Sequence, residues 1–194
     1  MASPPLALTF VQSATKAEQL PDCGPLVALV GRSNVGKSSL VNALSGRKAL
    51  AKVSKTPGRT QLINVFAIES GGALVDLPGF GYAHVSKAVR ATWPAMIENF
   101  LLESDDLRMV LALVDGEIGP AKLDVQLLAW LRAHQLPHQV VATKHDKVKS
   151  AQRERRKKEL SAGCQLDLSD IMWASAAKGT GIDELRDQIR VYLS

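Results

Sequence analysis

The chain of 194 residues has little cysteine, few aromatic side chains (5%) and no long apolar run. Its two cysteines, Cys23 and Cys164, lie far apart in the sequence and form no C-x-x-C pair, so we expect free thiols. The longest apolar stretches, such as MVLALV at 109–114, fall well short of the roughly 18 residues that span a bilayer. MASPPLALTF at the start lacks a basic region followed by a long apolar core, so we expect no secretory signal. These features predict a soluble, cytoplasmic protein without a membrane partner.

Apolar residues make up 46% of the chain, which is enough for one well-packed domain. The net charge is +5, and it is concentrated in the segment 147–158, KVKSAQRERRKK, which we call the basic segment. This segment holds seven basic residues and one acidic residue, whereas the rest of the chain holds 17 basic and 18 acidic residues. A local cluster of this kind favours docking on a polyanion, and the alternative is a solvated helix face.

Strand-like and helix-like segments alternate along most of the chain. We predict an N-terminal extension at 1–24, with a possible short strand in LALTF, followed by one domain at 25–194. The predicted strands are 26–30, 61–68, 73–75, 109–114, 138–142 and 171–174. The predicted helices are 37–46, 87–103, 121–135, 147–161 and 180–192. The alternation predicts an α/β fold with three layers, in which helices cover both faces of a mostly parallel six-stranded sheet. Ligands of such sheets bind at the carboxyl ends of the strands.

The first apolar run ends in GRSNVGKS at 31–38, which fits the pattern G-x-x-x-x-G-K-[ST] and which we call the phosphate loop. Glycines at its ends let backbone N–H groups approach phosphates, and the following helix points its positive end at the same anion. Lys37 would reach the β- and γ-phosphates, and the Ser38 hydroxyl would bind Mg²⁺. The alternative is a simple glycine turn. The predicted nucleotide contacts here are Gly31, Arg32, Ser33, Asn34, Val35, Gly36, Lys37, Ser38 and Ser39.

A second motif, D-x-x-G, begins at Asp76 and ends at Gly79 in the stretch VDLPGFGYA, and we call it the D-x-x-G segment. Asp76 would hold Mg²⁺ through water, and the Gly79 amide would contact the γ-phosphate. The pattern is short and arises by chance in many chains. It therefore supports a phosphate site only together with the other motifs.

The stretch TKHD at 143–146 follows a predicted strand and fits [NT]-K-x-D, a guanine-binding motif; we call it the first base motif. Asp146 can accept two hydrogen bonds from guanine N1–H and N2–H₂, which adenine cannot supply. The Lys144 stem would pack over the base and the phosphate loop. Thr143 stands where many GTPases have asparagine, so one loop-fixing amide is missing. His145 fills the variable position, where we expect a solvated or base-adjacent side chain.

A fourth motif, SAAK, lies at Ser175, Ala176, Ala177 and Lys178 and fits S-A-x-K; we call it the second base motif. The backbone of this motif reads guanine O6. Four motifs in this order, each after a predicted strand, indicate a site for GTP or GDP with Mg²⁺.

The polar stretch ALAKVSKTPGRTQ lies between the first predicted helix and the next strand. A magnesium-dependent switch needs a hydroxyl here that closes only when the γ-phosphate is present. Thr60 is the first candidate for that Mg²⁺ ligand and Thr56 is the second, although Thr56 precedes a proline and fits a turn. Gly58 is a further predicted nucleotide contact.

Signalling GTPases commonly place glutamine after D-x-x-G to orient the attacking water, and here Phe80 stands at that position. We therefore predict slow intrinsic hydrolysis, with a partner or an ion supplying what glutamine would. Asn34 is a candidate to hold a monovalent cation such as K⁺ between phosphates, and a loop-capping amide is the equal alternative. The predicted catalytic residues are Lys37, Thr60, Gly79 and Asn34.

Together, GRSNVGKSSLVNAL, SKTPGRTQLINVF, DLPGFGYA, TKHDK and SAAKGTGI resemble the EngB family of bacterial GTP-binding proteins. The phenylalanine after D-x-x-G and the threonine of the first base motif also look like that family. The resemblance implies a P-loop GTPase domain of the TRAFAC class and a role in assembly of the large ribosomal subunit. It also implies an indirect link to cell division and septation. The basic segment would then contact ribosomal RNA, and we expect a monomer.

Two other functions use the same motifs. A nucleotide-dependent kinase shares the phosphate loop but would need an acceptor-binding lid and no guanine motif, so Asp146 argues against it. A GTP-stabilised RNA-binding module, in which hydrolysis is incidental, predicts that changing Ser38 or Thr60 leaves RNA affinity unchanged.

Overall fold

The computed structural model describes residues 2–51, 62–81 and 87–194, without the side chains of 87–94. Thr56, Gly58 and Thr60 therefore lie outside the described residues. The described strands are β1 Leu8–Ala14, β2 Leu26–Gly31, β3 Ile63–Ile68, β4 Ala73–Asp76, β5 Leu107–Asp115, β6 His138–Thr143 and β7 Ile171–Trp173. The described helices are α1 Lys37–Ser45, α2 Lys87–Glu103, α3 Lys122–Ala133, α4 Arg153–Cys164 and α5 Ile182–Leu193.

The strands form one sheet in the order β1-β3-β4-β2-β5-β6-β7. β1 and β3 pair antiparallel, as do β3 and β4, and the other neighbours are parallel. The registers place Gly31 beside Leu113 and Asp115 beside Thr143. The carboxyl ends of β2, β5 and β6 therefore lie along one edge of the sheet, where an α/β fold binds its ligands.

Helices cover both faces of this sheet, which confirms the predicted three layers. Alternate residues of β2 point to opposite faces, so Val30 joins one core and Leu29 joins the other. The first core is completed by α2, α3 and α4 and the second by α1 and α5. Because β2 is buried on both sides, it is a continuous apolar run without a polar alternation.

The described residues form seven strands and not the predicted six, because the possible short strand in LALTF is confirmed as β1, which extends to Ala14 and joins the sheet. β1 is the edge strand and pairs with β3, from Leu8 beside Ile68 to Ala14 beside Ile63. Only its end residues are buried, and the register shifts between Phe10 and Gln12. An exposed edge strand with a bulge lacks the regular alternation that marks a strand in a sequence.

The predicted helix at 147–161 begins later in the structure. Two short 3-10 turns, His145–Lys147 and Ser150–Gln152, precede α4, which runs from Arg153 to Cys164. Val148 is buried between the turns, and Lys149 adopts an extended ψ of 136°. Burial of that one apolar side chain thus interrupts a stretch whose composition favours a helix.

Two simpler predictions concern cysteine and the membrane. Cys23 and Cys164 are free thiols, as expected. Among the helices of the described part of the chain, none combines the length and apolar character that crossing a membrane requires.

Candidate nucleotide-binding site

The phosphate loop runs from the end of β2 into the start of α1. Gly36 has a φ of 112°, a conformation that favours glycine, and a Cβ at Gly31 would lie 2.8 Å from the Leu113 carbonyl oxygen. α1 begins at Lys37, so the positive end of this helix faces the loop. Asn34 is exposed at the tip with a φ of 64°. The loop has the geometry that presents backbone N–H groups to a phosphate.

Lys37 is almost fully buried and points back into its own loop. Its Nζ donates to the Gly31 carbonyl at 3.0 Å and, at 3.4 Å, to the Arg32 carbonyl. Burial lowers the pKa of Lys37, and the nearby Asp76 carboxylate opposes that shift. Among the described residues, the hydrogen-bond partners of this desolvated ammonium are neutral carbonyls, which the charged oxygens of a phosphate can replace.

Asp76 ends β4 beside Ser38. The Ser38 hydroxyl donates to Asp76 Oδ2 at 3.5 Å, while the buried Oδ1 has no hydrogen-bond partner among the described residues. Burial raises the pKa of Asp76 to about 6, although Lys37 and Ser38 act in the opposite direction. An unpartnered carboxylate oxygen next to a hydroxyl is the hard oxygen donor set that Mg²⁺ prefers, so these residues fit that ion.

The end of the D-x-x-G segment lies directly on the phosphate loop. The Ser33 amide donates to the Phe80 carbonyl at 2.9 Å, and the Ser33 hydroxyl donates to the Gly79 carbonyl at 3.3 Å. A Cβ at Gly79 would lie 2.9 Å from Ser33 Cα and 3.1 Å from Lys37 Nζ. Glycine is therefore required here for close approach, and its backbone lies beside the lysine that would bind phosphate.

Arg32 has a side-chain partner that the sequence motifs did not indicate. Its Nε lies 2.9 Å from Oδ2 of Asp124, a buried carboxylate in the first turn of α3. Burial raises the pKa of Asp124, and the Ala121 amide and Arg32 oppose the shift. The Arg32 guanidinium thus joins the phosphate loop to α3, and its backbone is the part that lines the predicted phosphate site.

The first base motif contacts the phosphate loop through Thr143. The Thr143 hydroxyl lies 2.6 Å from the Val35 carbonyl and 3.2 Å from the Val114 carbonyl, and it is buried with them. A Cβ at Gly36 would lie 3.9 Å from the same side chain. A threonine hydroxyl therefore links the two loops. The sequence had suggested that such a link was missing here, because many GTPases have asparagine at this position.

The two base motifs are joined by a side-chain hydrogen bond. The buried Ser175 hydroxyl donates to Asp146 Oδ1 at 2.5 Å and accepts from the Lys178 amide at 3.1 Å. Asp146 itself is exposed, as are Ala176, Ala177 and Lys178. The carboxylate and the backbone predicted to read guanine are thus held together and accessible.

Two further side chains complete this end of the site. Lys144 has a φ of 57°, and its Nζ lies 2.6 Å from Oδ2 of Asp115, a residue that the motifs did not include. His145 is half-buried, and its ring meets Trp173 edge-on with centroids 5.3 Å apart. Burial, assisted by the positive charge of Arg153, lowers the pKa of His145. Asp115 could have been identified from the sequence because it lies at the end of a buried strand, as Asp76 does.

The structure therefore brings the four predicted motifs to one edge of the sheet. They are the phosphate loop with Ser39, the D-x-x-G segment, and the two base motifs. The predicted contacts Gly58 and Thr60 lie outside the described residues. The basic segment begins at Lys147, directly after the first base motif, so it lies beside the end of the site that would hold a base.

Comparison with known proteins agrees with this geometry. A family model described as 50S ribosome-binding GTPase matches residues 26–144, which is more than half of the chain. The probable GTP-binding protein EngB of Citrifermentans bemidjiense is 45% identical over 186 residues, covering 95% of this chain and 87% of that protein. The probable GTP-binding protein EngB of Streptococcus equi subsp. zooepidemicus is 42% identical over 188 residues, covering 96% of this chain and 94% of that protein.

Solved structures are similar over most of the chain. The crystal structure of a probable GTP-binding protein EngB has a TM-score of 0.68 at 24% identity and covers 87% of this chain and 98% of that one, so it supports the fold. A variant of Aquifex aeolicus Era bound to GDP·AlF₄⁻ has a TM-score of 0.68 at 27% identity, covering 87% of this chain and 56% of that one. By its family-model match and its close relatives over nearly its whole length, the chain belongs to the EngB family of GTP-binding proteins and is a GTPase.

Proposed function

We propose that this protein is a slowly hydrolysing GTP-dependent switch that acts in the cytoplasm during assembly of the large ribosomal subunit, with an indirect effect on cell division. The observation that carries the proposal is the joined base site, in which Ser175 bonds to Asp146 and Thr143 bonds to the phosphate loop. This arrangement suits a guanine nucleotide whose base and phosphates are bound together. The family description, 50S ribosome-binding GTPase, supports the ribosomal role.

In the proposed site, Asp146 accepts the N1–H and N2–H₂ groups of guanine. Ser175 bonds to one carboxylate oxygen and so orients the group before nucleotide arrives. The exposed backbone of the second base motif donates to guanine O6. Adenine offers no matching pair of donors and would leave the carboxylate unpaired, which is a strong basis for discrimination.

At the other end of the site, Lys37 binds the β- and γ-phosphates, and Gly79 contacts the γ-phosphate. Ser38 and Asp76 would hold Mg²⁺, with Thr60 as the proposed ligand that is present only with GTP. When bound, Mg²⁺ supplies positive charge that offsets the charge developing on the phosphate oxygens. Movement of the D-x-x-G segment between two sets of contacts would be the switch.

Phe80 cannot orient the attacking water, which is why we propose slow intrinsic hydrolysis. Asn34 is exposed at the tip of the phosphate loop, where its amide oxygen can help to hold K⁺. Hydrolysis should then be faster in K⁺ than in Na⁺, and Asn34→Ala should remove the difference. Equal rates in both salts would leave Asn34 as a loop-capping amide.

The guanine site is tested by calorimetric titration of GDP, GTP and ATP with Mg²⁺ into the wild type and Asp146→Ala. We expect guanine nucleotide binding to be lost in the variant and ATP binding to be absent in both. Asp105→Ala is the matched control, because Asp105 is exposed at the opposite end of β5. Equal affinity of the wild type for ATP and GTP would overturn the guanine site and favour a kinase.

We propose that the basic segment binds phosphates of the RNA in the precursor of the large subunit. Lys149 and Lys158 are exposed, and several other cations of the segment form surface ion pairs, such as Arg155 with Glu159 and Lys157 with Glu154. Exposed pairs of this kind are worth about 0–1 kcal/mol, so RNA phosphates can replace the carboxylates.

Binding of ribosomal RNA by Lys149→Ala/Lys158→Ala, measured against salt concentration, tests this surface. Each lost phosphate contact should reduce the slope of log K against log salt by about 1. Lys16→Ala, an exposed lysine before β2, is the control. An unchanged slope would show that the basic segment is a solvated face. Full RNA affinity in Ser38→Ala would instead favour an RNA-binding module in which hydrolysis is incidental.

A further inference from the structure

Asp115 is a buried carboxylate bonded to a lysine of the first base motif. It ends β5, its side chain is 8% exposed, and its Oδ2 lies 2.6 Å from Lys144 Nζ. No part of the four motifs includes Asp115. The four motifs therefore do not explain the ion pair between Asp115 and Lys144.

Hydrogen bonds to the backbone hold the Asp115 carboxylate beside the first base motif. Its Oδ1 accepts the Glu117 amide at 3.0 Å, and the next residue, Gly116, donates its amide to the Thr143 carbonyl at 2.9 Å. A Cβ at Gly116 would lie only 2.5 Å from that carbonyl oxygen. These contacts hold Asp115 next to Thr143, the residue that precedes Lys144.

Lys144, by contrast, carries a flexible side chain that is 26% exposed. A lysine side chain loses substantial rotamer entropy when it is held in one place. The ion pair with Asp115 imposes that order on the lysine in the absence of nucleotide. A nucleotide that packs against the lysine stem then meets a side chain that is already ordered, and such preorganisation strengthens binding.

We propose that Asp115 is a positioning residue of the base site, which orders the Lys144 side chain for the guanine nucleotide. Asp115 acts through the lysine and does not contact the reacting phosphates. The inference rests on the proposed guanine site and adds to it a residue from β5. It predicts an effect on nucleotide affinity and none on the hydrolysis step.

Asp115→Asn is the first test, because asparagine keeps an oxygen for the Glu117 amide and removes the charge that binds Lys144. We expect the Kd for GDP and the KM for GTP to rise about ten- to thirtyfold, with kcat unchanged. Glu117→Gln is the matched control, since it neutralises a neighbouring exposed carboxylate that pairs with Lys147. That variant should bind GDP as the wild type does.

A double-mutant cycle separates positioning from a general structural role. Lys144→Met should weaken GDP binding at least as much as Asp115→Asn, and in that background Asp115→Asn should have no further effect. Should Asp115→Asn fail to fold, wild-type affinity in Lys144→Met would by itself overturn the proposal. Wild-type affinity in Asp115→Asn, equal loss in both backgrounds, or a lower kcat would also overturn it.

The same titrations with Asp146→Ala distinguish this inference from the proposed guanine site. Loss of GDP binding in Asp146→Ala without an effect of Asp115→Asn would refute the positioning role alone. Unchanged GDP binding in Asp146→Ala would refute the guanine site itself.

Discussion

In the base half of the site, two motif residues are bonded to other side chains, whereas in the phosphate half the lysine is bonded to its own loop and one carboxylate oxygen has no partner among the described residues. Asp146 is paired with Ser175, and Lys144 is paired with Asp115. Lys37 donates to carbonyls of its own loop, and Asp76 Oδ1 has no partner among the described residues. The two halves differ in how much must change when nucleotide binds.

This difference has a functional meaning. A base site whose side chains are ordered beforehand loses little conformational entropy on binding, and such preorganisation favours specific recognition. A phosphate site that must exchange its contacts can adopt different arrangements with and without a γ-phosphate, which a switch requires. The proposed guanine selection and the proposed switching would therefore belong to different halves, joined by the bond between Thr143 and Val35.

The largest effect is expected for Lys37→Met. Removing the ammonium deletes charge-assisted bonds to phosphate, so we expect GDP and GTP affinity to fall about 100-fold. The preference for GTP over ATP should persist, because the base half is untouched. Calorimetric titrations of all three nucleotides check this, with Lys16→Met as the control. Loss of the preference together with the affinity would show that the two halves are not separable.

A pH effect is expected in the phosphate half. Mg²⁺ needs an ionised Asp76, so below a pKa of about 6 its affinity should fall about tenfold per pH unit. The metal-free protein should show the opposite trend: the raised pKa favours the protonated folded form, so this group's contribution to stability is lost as pH rises from about 4 to about 6. Mg²⁺ titrations with GTP at several pH values, using Asp76→Asn as the control, measure the first effect. A constant Mg²⁺ affinity from about pH 5 to about pH 7 would contradict it.

Thr143→Val tests the hydrogen bond to the Val35 carbonyl that links the two halves of the site. The change preserves shape but leaves the Val35 carbonyl without its donor, so the free energy of unfolding should fall by about 1–3 kcal/mol. Affinity for GDP and GTP should fall together, because both loops lose their common link. Urea unfolding and calorimetry measure these effects, and Thr143→Ser, which keeps the hydroxyl, is the control. A variant as stable as the wild type would show that the bond does not join the halves.

The smallest effect is expected for Ser33→Ala, which removes the 3.3 Å bond to the Gly79 carbonyl. That bond holds the D-x-x-G segment on the phosphate loop, and GTP is proposed to turn Gly79 toward the γ-phosphate. The bond is worth about 0.5–1.5 kcal/mol, so its removal should raise the affinity for GTP relative to that for GDP about two- to tenfold. Paired titrations of GDP and GTP check it, with exposed Ser169→Ala as the control. Equal changes in the affinities for GDP and GTP would show that Ser33 has no role in switching.

The motifs of the site could be predicted because each is a local pattern of residue types. A strand followed by glycines, a lysine and a hydroxyl is recognisable from a few neighbouring positions, as is a strand ending in Thr-Lys-x-Asp. Parallel alternation then places the ends of the strands at one edge of the sheet. The structure confirms that these segments meet there.

The partners of these motifs could not be predicted, because they come from distant parts of the chain. Asp115 pairs with Lys144, and Asp124 pairs with Arg32 across 92 positions. No spacing rule links such residues. Similarly, the late start of α4 depends on burial of Val148 against the fold, and the length and register of the edge strand β1 depend on its pairing with β3, although its presence was predicted from LALTF. Local composition does not contain either interaction.

The sequence by itself determined the order of strands and helices in the main domain and the residues proposed to bind phosphate and base, because backbone geometry and hydrogen-bonding chemistry at those positions are local. Only the tertiary structure decided which side chains are paired before nucleotide binds and which are left without partners. Register and packing between strands bring Asp115 to Lys144 and Ser175 to Asp146, while they leave Oδ1 of Asp76 buried and without a hydrogen-bond partner among the described residues. That contrast is a property of the folded sheet, and it separates the half of the site suited to selecting guanine from the half suited to sensing phosphate.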